Sequence, residues 1–397
     1  MRVGVCLGDF VPEVGGGYTF VSQIFDAFLK LAHVSSHQFV VFCNSEHVKS
    51  LQAGCENPML EFCGVPEKGF VETAISALKH YSPLFAYLYK RGSRFERAAS
   101  ERHVEFVWFV GGGVYDTPEI PYIATVWDVQ HLTHPWFPEV SSEGRWDYRE
   151  LMHKRFLRRA AYVITGTRTG AEQLGWYYQV PEDRIRILPH PTPLLTAERV
   201  YSKPACANRL GGKKFIFYPA QFWPHKNHVN LLHALKLLHD RYDLDVNLVF
   251  TGSDKNNSDH VKSVVGELGL ASQIHILGFV GTDELVWLYR NAVALVYPSF
   301  SGPENLPPLE AFSLGCPVVI SDYPGAREQL GDAAVFFDPH SPEKMADAVK
   351  YLLDNPDLKQ DLIKKGYERA VRWTAEDFVE GVFSMFDEFE PVRRCWS

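Results

Sequence analysis

At 397 residues the chain is too long for one ordinary hydrophobic core and suits two domains. With 46% hydrophobic and 22% charged residues it reads as globular and not as disordered. A formal net charge of -8 argues against a nucleic-acid binder that relies on bulk positive charge.

The first residues lack the apolar h-region of a signal peptide and run straight into a strand pattern. No apolar stretch is long enough to span a bilayer. The seven cysteines form no C-x-x-C pair, which fits reduced thiols in a cytoplasmic protein. Short apolar runs predict strands at 3–7, 39–43, 106–110, 122–126, 162–165 and 185–188, with amphipathic helices at 18–31 and 146–159 among them. Continuous apolar strands joined by helices indicate parallel sheet buried on both faces. Prolines and a Gly-Gly-Lys-Lys cluster mark 192–214 as a linker. A second series follows at 215–219, 246–251, 274–277, 294–297, 318–321 and 335–337. Leu231, Leu232, Leu235 and Leu238 share one helix face. The expected fold class is α/β: two Rossmann-like doubly wound domains, 1–200 and 208–375, facing across a cleft. Ligands of such sheets bind at the carboxyl ends of the strands.

Two easy readings fail. Gly15-Gly16-Gly17 and Gly111-Gly112-Gly113 both lack the last glycine of a dinucleotide-binding fingerprint, and there is no P-loop. Asp243-Leu244-Asp245 has the spacing of a metal-binding pair but sits on a helix-to-strand turn, where aspartates are common. No metal site or cofactor is expected.

Four segments carry chemistry. The first runs from Tyr297 to Phe312, after a strand and into a helix. Pro307 and Pro308 suit a first helical turn. Backbone N–H groups near Asn305 and Leu306 are placed to cradle phosphate. Glu310 is placed to accept hydrogen bonds from a ribose, or is simply a surface glutamate. In the second, Lys226 adds a full charge at a helix N-terminus, which suits a diphosphate, while Asn227 reads as a helix cap. The third is Gly15-Gly16-Gly17, where Gly16 and Gly17 let the backbone approach a phosphate or acceptor. The fourth is Trp127-Asp128-Val129-Gln130-His131, ending a strand. His131 either acts on a substrate hydroxyl or bonds local backbone.

The stretch Gly302-Pro303-Glu304-Asn305-Leu306-Pro307-Pro308-Leu309-Glu310-Ala311 resembles the E-x7-E region of retaining glycosyltransferase family 4, of the GT-B fold. Leu306, Pro307, Glu310 and Ala311 match its usual form, and Gly302 stands where the first glutamate would be. The resemblance implies donor-sugar contact at that glutamate, so Glu304 either substitutes for it or is a solvated loop residue. It implies donor phosphates on Lys226 and on the arginine position held here by Gln221. It also implies a histidine where Trp127 stands, followed by the matching Asp128. On this footing the catalytic candidates are Asp128, His131, Lys226 and Glu310. The donor-binding candidates are Gly16, Gly17, Gln221, Lys226, Glu304, Asn305, Leu306 and Glu310.

The implied activity is metal-independent, retaining transfer from a nucleoside diphosphate sugar, with GDP-mannose or a related GDP-sugar preferred. The implied acceptor is a saccharide or lipid-linked glycan in polysaccharide biosynthesis. A helix near 376–397 is expected to pack back on the first domain. The alternatives are a catalytically inactive sugar-nucleotide-binding subunit, since Gly302, Gln221 and Trp127 replace familiar polar groups, and a nucleotide-sugar epimerase. The basic and aromatic segment 74–102 reads as an ordinary amphipathic helix or as a peripheral contact with the inner face of the membrane.

Overall fold

A computed structural model describes residues 1–8, 15–53, 60–65, 75, 78, 82, 85, 93–112, 118–193, 195 and 210–396. The chain divides into two compact units. The first comprises Met1–His131, Glu143–Pro191 and Thr374–Ser397, and the second Leu132–Ser142 and Thr192–Trp373.

The first unit is built on a parallel sheet of β1 (Arg2–Cys6), β2 (Gln38–Asn44), β3 (Leu60–Val65), β4 (Phe106–Phe109), β5 (Tyr122–Thr125), β6 (Tyr162–Thr165) and β7 (Ile185–Ile187), in the order 3-2-1-4-5-6-7. Every residue of β4 and β5 is buried, which explains their unbroken apolar character. β3 was not expected from the sequence. It lies at the sheet edge, and its Glu61 accepts hydrogen bonds from Arg2 and Arg102. Gly64 fits closely there: a Cβ would lie 2.9 Å from Ser45 Cα. A short strand holding a charge and a glycine carries little apolar signal.

The terminal helix Ala375–Arg393 starts at a capping box of Thr374 and Asp377. It buries Phe378, Val382, Met385 and Phe386. Phe383 packs on Phe28 and Phe39, and Phe386 on Phe106 and Trp108, so this helix completes the first unit's core. Helix Gly16–Leu31 meets it with Phe20 and Phe28.

The second unit's sheet is also parallel: β8 (Phe215–Pro219), β9 (Asn247–Thr251), β10 (Ile274–Ile276), β11 (Ala294–Tyr297), β12 (Val318–Ser321) and β13 (Ala334–Phe337), in the order 10-9-8-11-12-13. Helix His228–Tyr242 buries Leu231, Leu232, Leu235 and Leu238, the expected face. Asp243 caps its end with a φ of 51°, and Asp245 pairs with Lys213, so the D-x-D spacing belongs to a turn. Chain order reverses between β8 and β11, neighbours in the sheet. In such sheets ligands bind at the carboxyl ends of the strands beside this switch point.

Among the described residues, no helix is long and apolar enough to cross a membrane. Most of the expected linker and of segment 74–102 lies outside the described residues, as does the part of the first glycine loop at 12–14. Of 74–102, helix Arg94–Glu101 is described, capped by Ser93.

Candidate functional site

The loop after β8 makes a tight turn at Pro224–Lys226 before helix His228–Tyr242. The loop after β11 runs into helix Leu306–Ser313. The Phe300 N–H donates to the His225 carbonyl at 2.9 Å and ties the two loops together. Lys226 then reaches from the first loop to the second. Its Nζ donates to Tyr297 Oη at 2.9 Å and to Asn305 Oδ1 at 3.1 Å. Tyr297 donates to the same Oδ1 at 2.7 Å. Asn305 Nδ2 donates to the Gly302 carbonyl and the Tyr323 hydroxyl. The Tyr297 hydroxyl and the Asn305 carboxamide oxygen are neutral, and they orient the ammonium. An oriented cation at a helix N-terminus is a site for an anion.

The helix that follows is stripped of donors by its sequence. Pro307 and Pro308 have no N–H. The Asn305 N–H, expected to meet phosphate, is instead taken by Gln329 Oε1 at 3.1 Å, and Gln329 Nε2 returns a bond to the Asn305 carbonyl at 2.9 Å. That leaves the Leu306 N–H as a donor in the first turn of this helix. Glu310 is buried one turn on, and its Oε2 accepts from Tyr289 Oη at 2.6 Å. Burial pushes its carboxyl up, and the Tyr289 bond partly offsets this.

Gly302 has a φ of 116°, and a Cβ there would meet Asn305 Nδ2 at 2.9 Å. This backbone has no room for the glutamate that the resemblance would put at 302. Gly302→Ala is expected to destabilise the protein by about 1 kcal/mol. Urea unfolding checks this, and an unchanged midpoint would contradict it. Glu304 is half-buried, and its charge adds to burial in raising the Tyr323 phenol.

The amide of Gln221 is committed locally: Nε2 donates to Ser253 Oγ, and Oε1 accepts from Trp223 Nε1. It shapes the loop and supplies no charge. Asn227 does occupy the N-cap, but its side chain does not cap the helix; Nδ2 donates to the carbonyls of Pro298 and Pro339. A contact that sequence reasoning missed lies next door. Glu139 Oε1 accepts from both the backbone N–H of His225, at 3.0 Å, and its Nδ1, at 2.6 Å. Burial would raise the Glu139 carboxyl, but the His225 bonds hold it below the usual carboxylate range.

In the first unit, Gly16 and Gly17 open helix Gly16–Leu31, and Gly15, with a φ of 77°, turns the chain into it. Trp127 packs over Gly112, where a Cβ would lie 2.5 Å from its ring. Asp128 Oδ1 caps the Gln130 N–H and accepts from Arg149 at 2.7 Å. Burial raises this carboxyl, but Arg149 and the Gln130 bond outweigh it and hold the group at about 2. A lowered carboxyl stabilises the fold above its unfolded value near 3.9, and that stability is lost as pH falls toward about 2. In Arg149→Gln the Asp128 midpoint followed by NMR is expected to rise toward the ordinary value; an unmoved midpoint would contradict this.

His131 is buried. Its side chain is 0% exposed, and Nε2 lies 2.9 Å from Tyr178 Oη and 3.3 Å from Glu150 Oε2. Burial first, then the charges of Arg149 and His153, lower it to about 4, so the ring is neutral at pH 7. Tyr178 and Glu150 enclose the ring nitrogen in the interior of the first unit.

Residues 205–369 match the model of the family described as glycosyl transferases group 1. The chain is 25% identical to the O-antigen chain mannosyltransferase RfbU of Salmonella typhimurium over 210 residues, 53% of this chain and 56% of that one. It is 27% identical to a D-inositol 3-phosphate glycosyltransferase of Acidothermus cellulolyticus over 58% of this chain and 54% of that one. The chain thus spans little more than half the length of these relatives. Among solved structures it is similar to sucrose-phosphate synthase from Thermosynechococcus elongatus, with a TM-score of 0.67, 18% identity and full coverage of both chains. It is similar too to WaaG, a glycosyltransferase involved in lipopolysaccharide biosynthesis, with a TM-score of 0.66, 17% identity and coverage of 96% and 99%. HepE of Anabaena in complex with UDP and glucose gives a TM-score of 0.66 at 14% identity, covering 98% of this chain and 100% of that one. The fold is that of the GT-B glycosyltransferases, and residues 205–369 are similar to the group 1 glycosyl transferases.

Proposed function

We propose that the protein is a retaining glycosyltransferase. It moves a hexosyl group, mannose from GDP-mannose or a related GDP-sugar by preference, to a saccharide or lipid-linked glycan acceptor in polysaccharide biosynthesis. The observation that carries this reading is the Lys226 ammonium held by Asn305 and Tyr297 at the switch point of the second sheet. The bond from the anomeric carbon to the diphosphate breaks, and negative charge grows on the departing oxygens. Lys226 and the Leu306 N–H meet that charge electrostatically, with no metal ion required. Glu310 accepts from a ribose hydroxyl. The acceptor oxygen attacks the same face that the diphosphate leaves, and its proton passes to the departing phosphate oxygen, so configuration is kept. The mannosyl preference draws support from the relative named as a mannosyltransferase.

Thermal shifts with GDP, UDP, ADP and TDP test the donor class, because a ligand of the native state raises apparent stability. GDP is expected to give the largest shift; a clear shift with UDP and none with GDP would overturn the preference. Slow release of nucleoside diphosphate from the bound donor is expected of an active enzyme, whereas the inactive-subunit reading requires binding without release.

A further inference from the structure

We propose that Glu139 is a positioning residue for Lys226, an inference that rests on the reading of Lys226 as the diphosphate-binding cation. Glu139 comes from the segment Leu132–Ser142, which groups with the second unit although its flanking residues belong to the first. Its side chain is only 6% exposed. One oxygen takes both donors of His225, main-chain and ring. The other is buried with no hydrogen-bond partner among the described residues.

A buried carboxylate costs stability unless its oxygens are met, so one that is half-satisfied is a poor device for stability alone. What it does geometrically is fix His225 from both ends. The residue's N–H and ring bond to Glu139, and its carbonyl receives the Phe300 N–H and, at 3.4 Å, Ser299 Oγ. Phe137 of the same segment packs on the rings of His225 and Phe300, at 6.1 and 5.7 Å between centroids. Lys226 is the next residue along. Its backbone is therefore clamped between the segment bearing Glu139 and the loop leaving β11, with a further hold from the Tyr218 hydroxyl on its carbonyl at 2.7 Å. Glu139 sets where the ammonium stands, and needs no contact with the ligand to do so. Outer partners of this kind tune a binding group through its orientation.

The test uses the full chain, the nucleoside diphosphate that gives the largest shift among the four above, and its monophosphate. Glu139→Ala is expected to weaken the diphosphate about fivefold and the monophosphate less than twofold, since the misplaced ammonium matters most at the terminal phosphate. Glu139→Gln keeps an acceptor oxygen for both His225 donors and is expected to stay within about twofold of wild type. Wild-type affinity in Glu139→Ala, equal weakening of both nucleotides, or a Gln variant as weak as the Ala one would each overturn the proposal. If Glu139→Ala fails to fold, His225→Phe removes the ring bond alone and is expected to show the same selective loss; wild-type binding there would overturn it. Lys226→Ala runs alongside. Should that variant bind the diphosphate normally, the functional reading itself fails. A weakened Lys226 variant beside a normal Glu139→Ala sinks the positioning role only.

Discussion

Lys226→Ala is expected to lower kcat/KM for the donor sugar by about 10- to 100-fold, the largest single effect at this site. A hydrogen bond to a charged group contributes about 1.5–3 kcal/mol, and each 1.36 kcal/mol is about a factor of ten in rate. The expected loss falls on kcat as well as KM, because the charge on the leaving diphosphate grows as the glycosidic bond breaks. Removing the side chain leaves Asn305 Oδ1 still bonded to Tyr297, so the loop keeps its shape and the loss reports the charge. Arginine is a poor substitute, since its planar fork does not fit a niche shaped by one hydroxyl and one carboxamide oxygen. Steady-state kinetics with the preferred donor decide the matter, and wild-type rates would mean that the anion site lies elsewhere.

Glu310→Ala is expected to cost about tenfold or more, with a different signature. Its carboxylate lies one turn into helix Leu306–Ser313, backed by the Tyr289 hydroxyl. As a ribose acceptor it should matter equally to a nucleoside diphosphate and a monophosphate, whereas Lys226 should matter through the phosphates. The alanine variant also leaves Tyr289 with the Pro307 carbonyl, 3.3 Å away, as its remaining acceptor, so some stability is lost. Glu310→Gln separates these effects: it keeps a group against Tyr289 and is expected to recover stability before it recovers affinity. Equal affinity for both nucleotides in wild type and Glu310→Ala would remove the residue from the nucleotide site.

The sequence was informative where one residue type has one physical use. Strands such as Phe215–Pro219 and Val318–Ser321 are nearly all apolar because they are buried on both faces, and they read directly. Leu60–Val65 did not, because an edge strand needs little apolar surface and this one carries Glu61 and Gly64. Lys226, Asn305 and Glu310 were legible as strand-loop-helix junctions, and the structure brings Lys226 and Asn305 into contact. The fate of individual side chains was not legible. His131 looks the same in sequence whether it faces solvent or lies beneath Glu150 and Tyr178. The Asn305 N–H was lost to Gln329, 24 residues on, through a long-range bond that no local motif encodes. Glu139 gave no signal at all: it lies 86 residues before His225 in a segment without a motif, and only the fold joins them.

The resting place of an activated sugar's pyrophosphate decides the function of this site. A crystal structure of the protein soaked with its preferred nucleoside diphosphate sugar measures this directly. The prediction is a phosphate oxygen within hydrogen-bonding distance of Lys226 Nζ, with the ribose hydroxyls at Glu310. A donor bound elsewhere, with no phosphate oxygen near Lys226 Nζ, would contradict it.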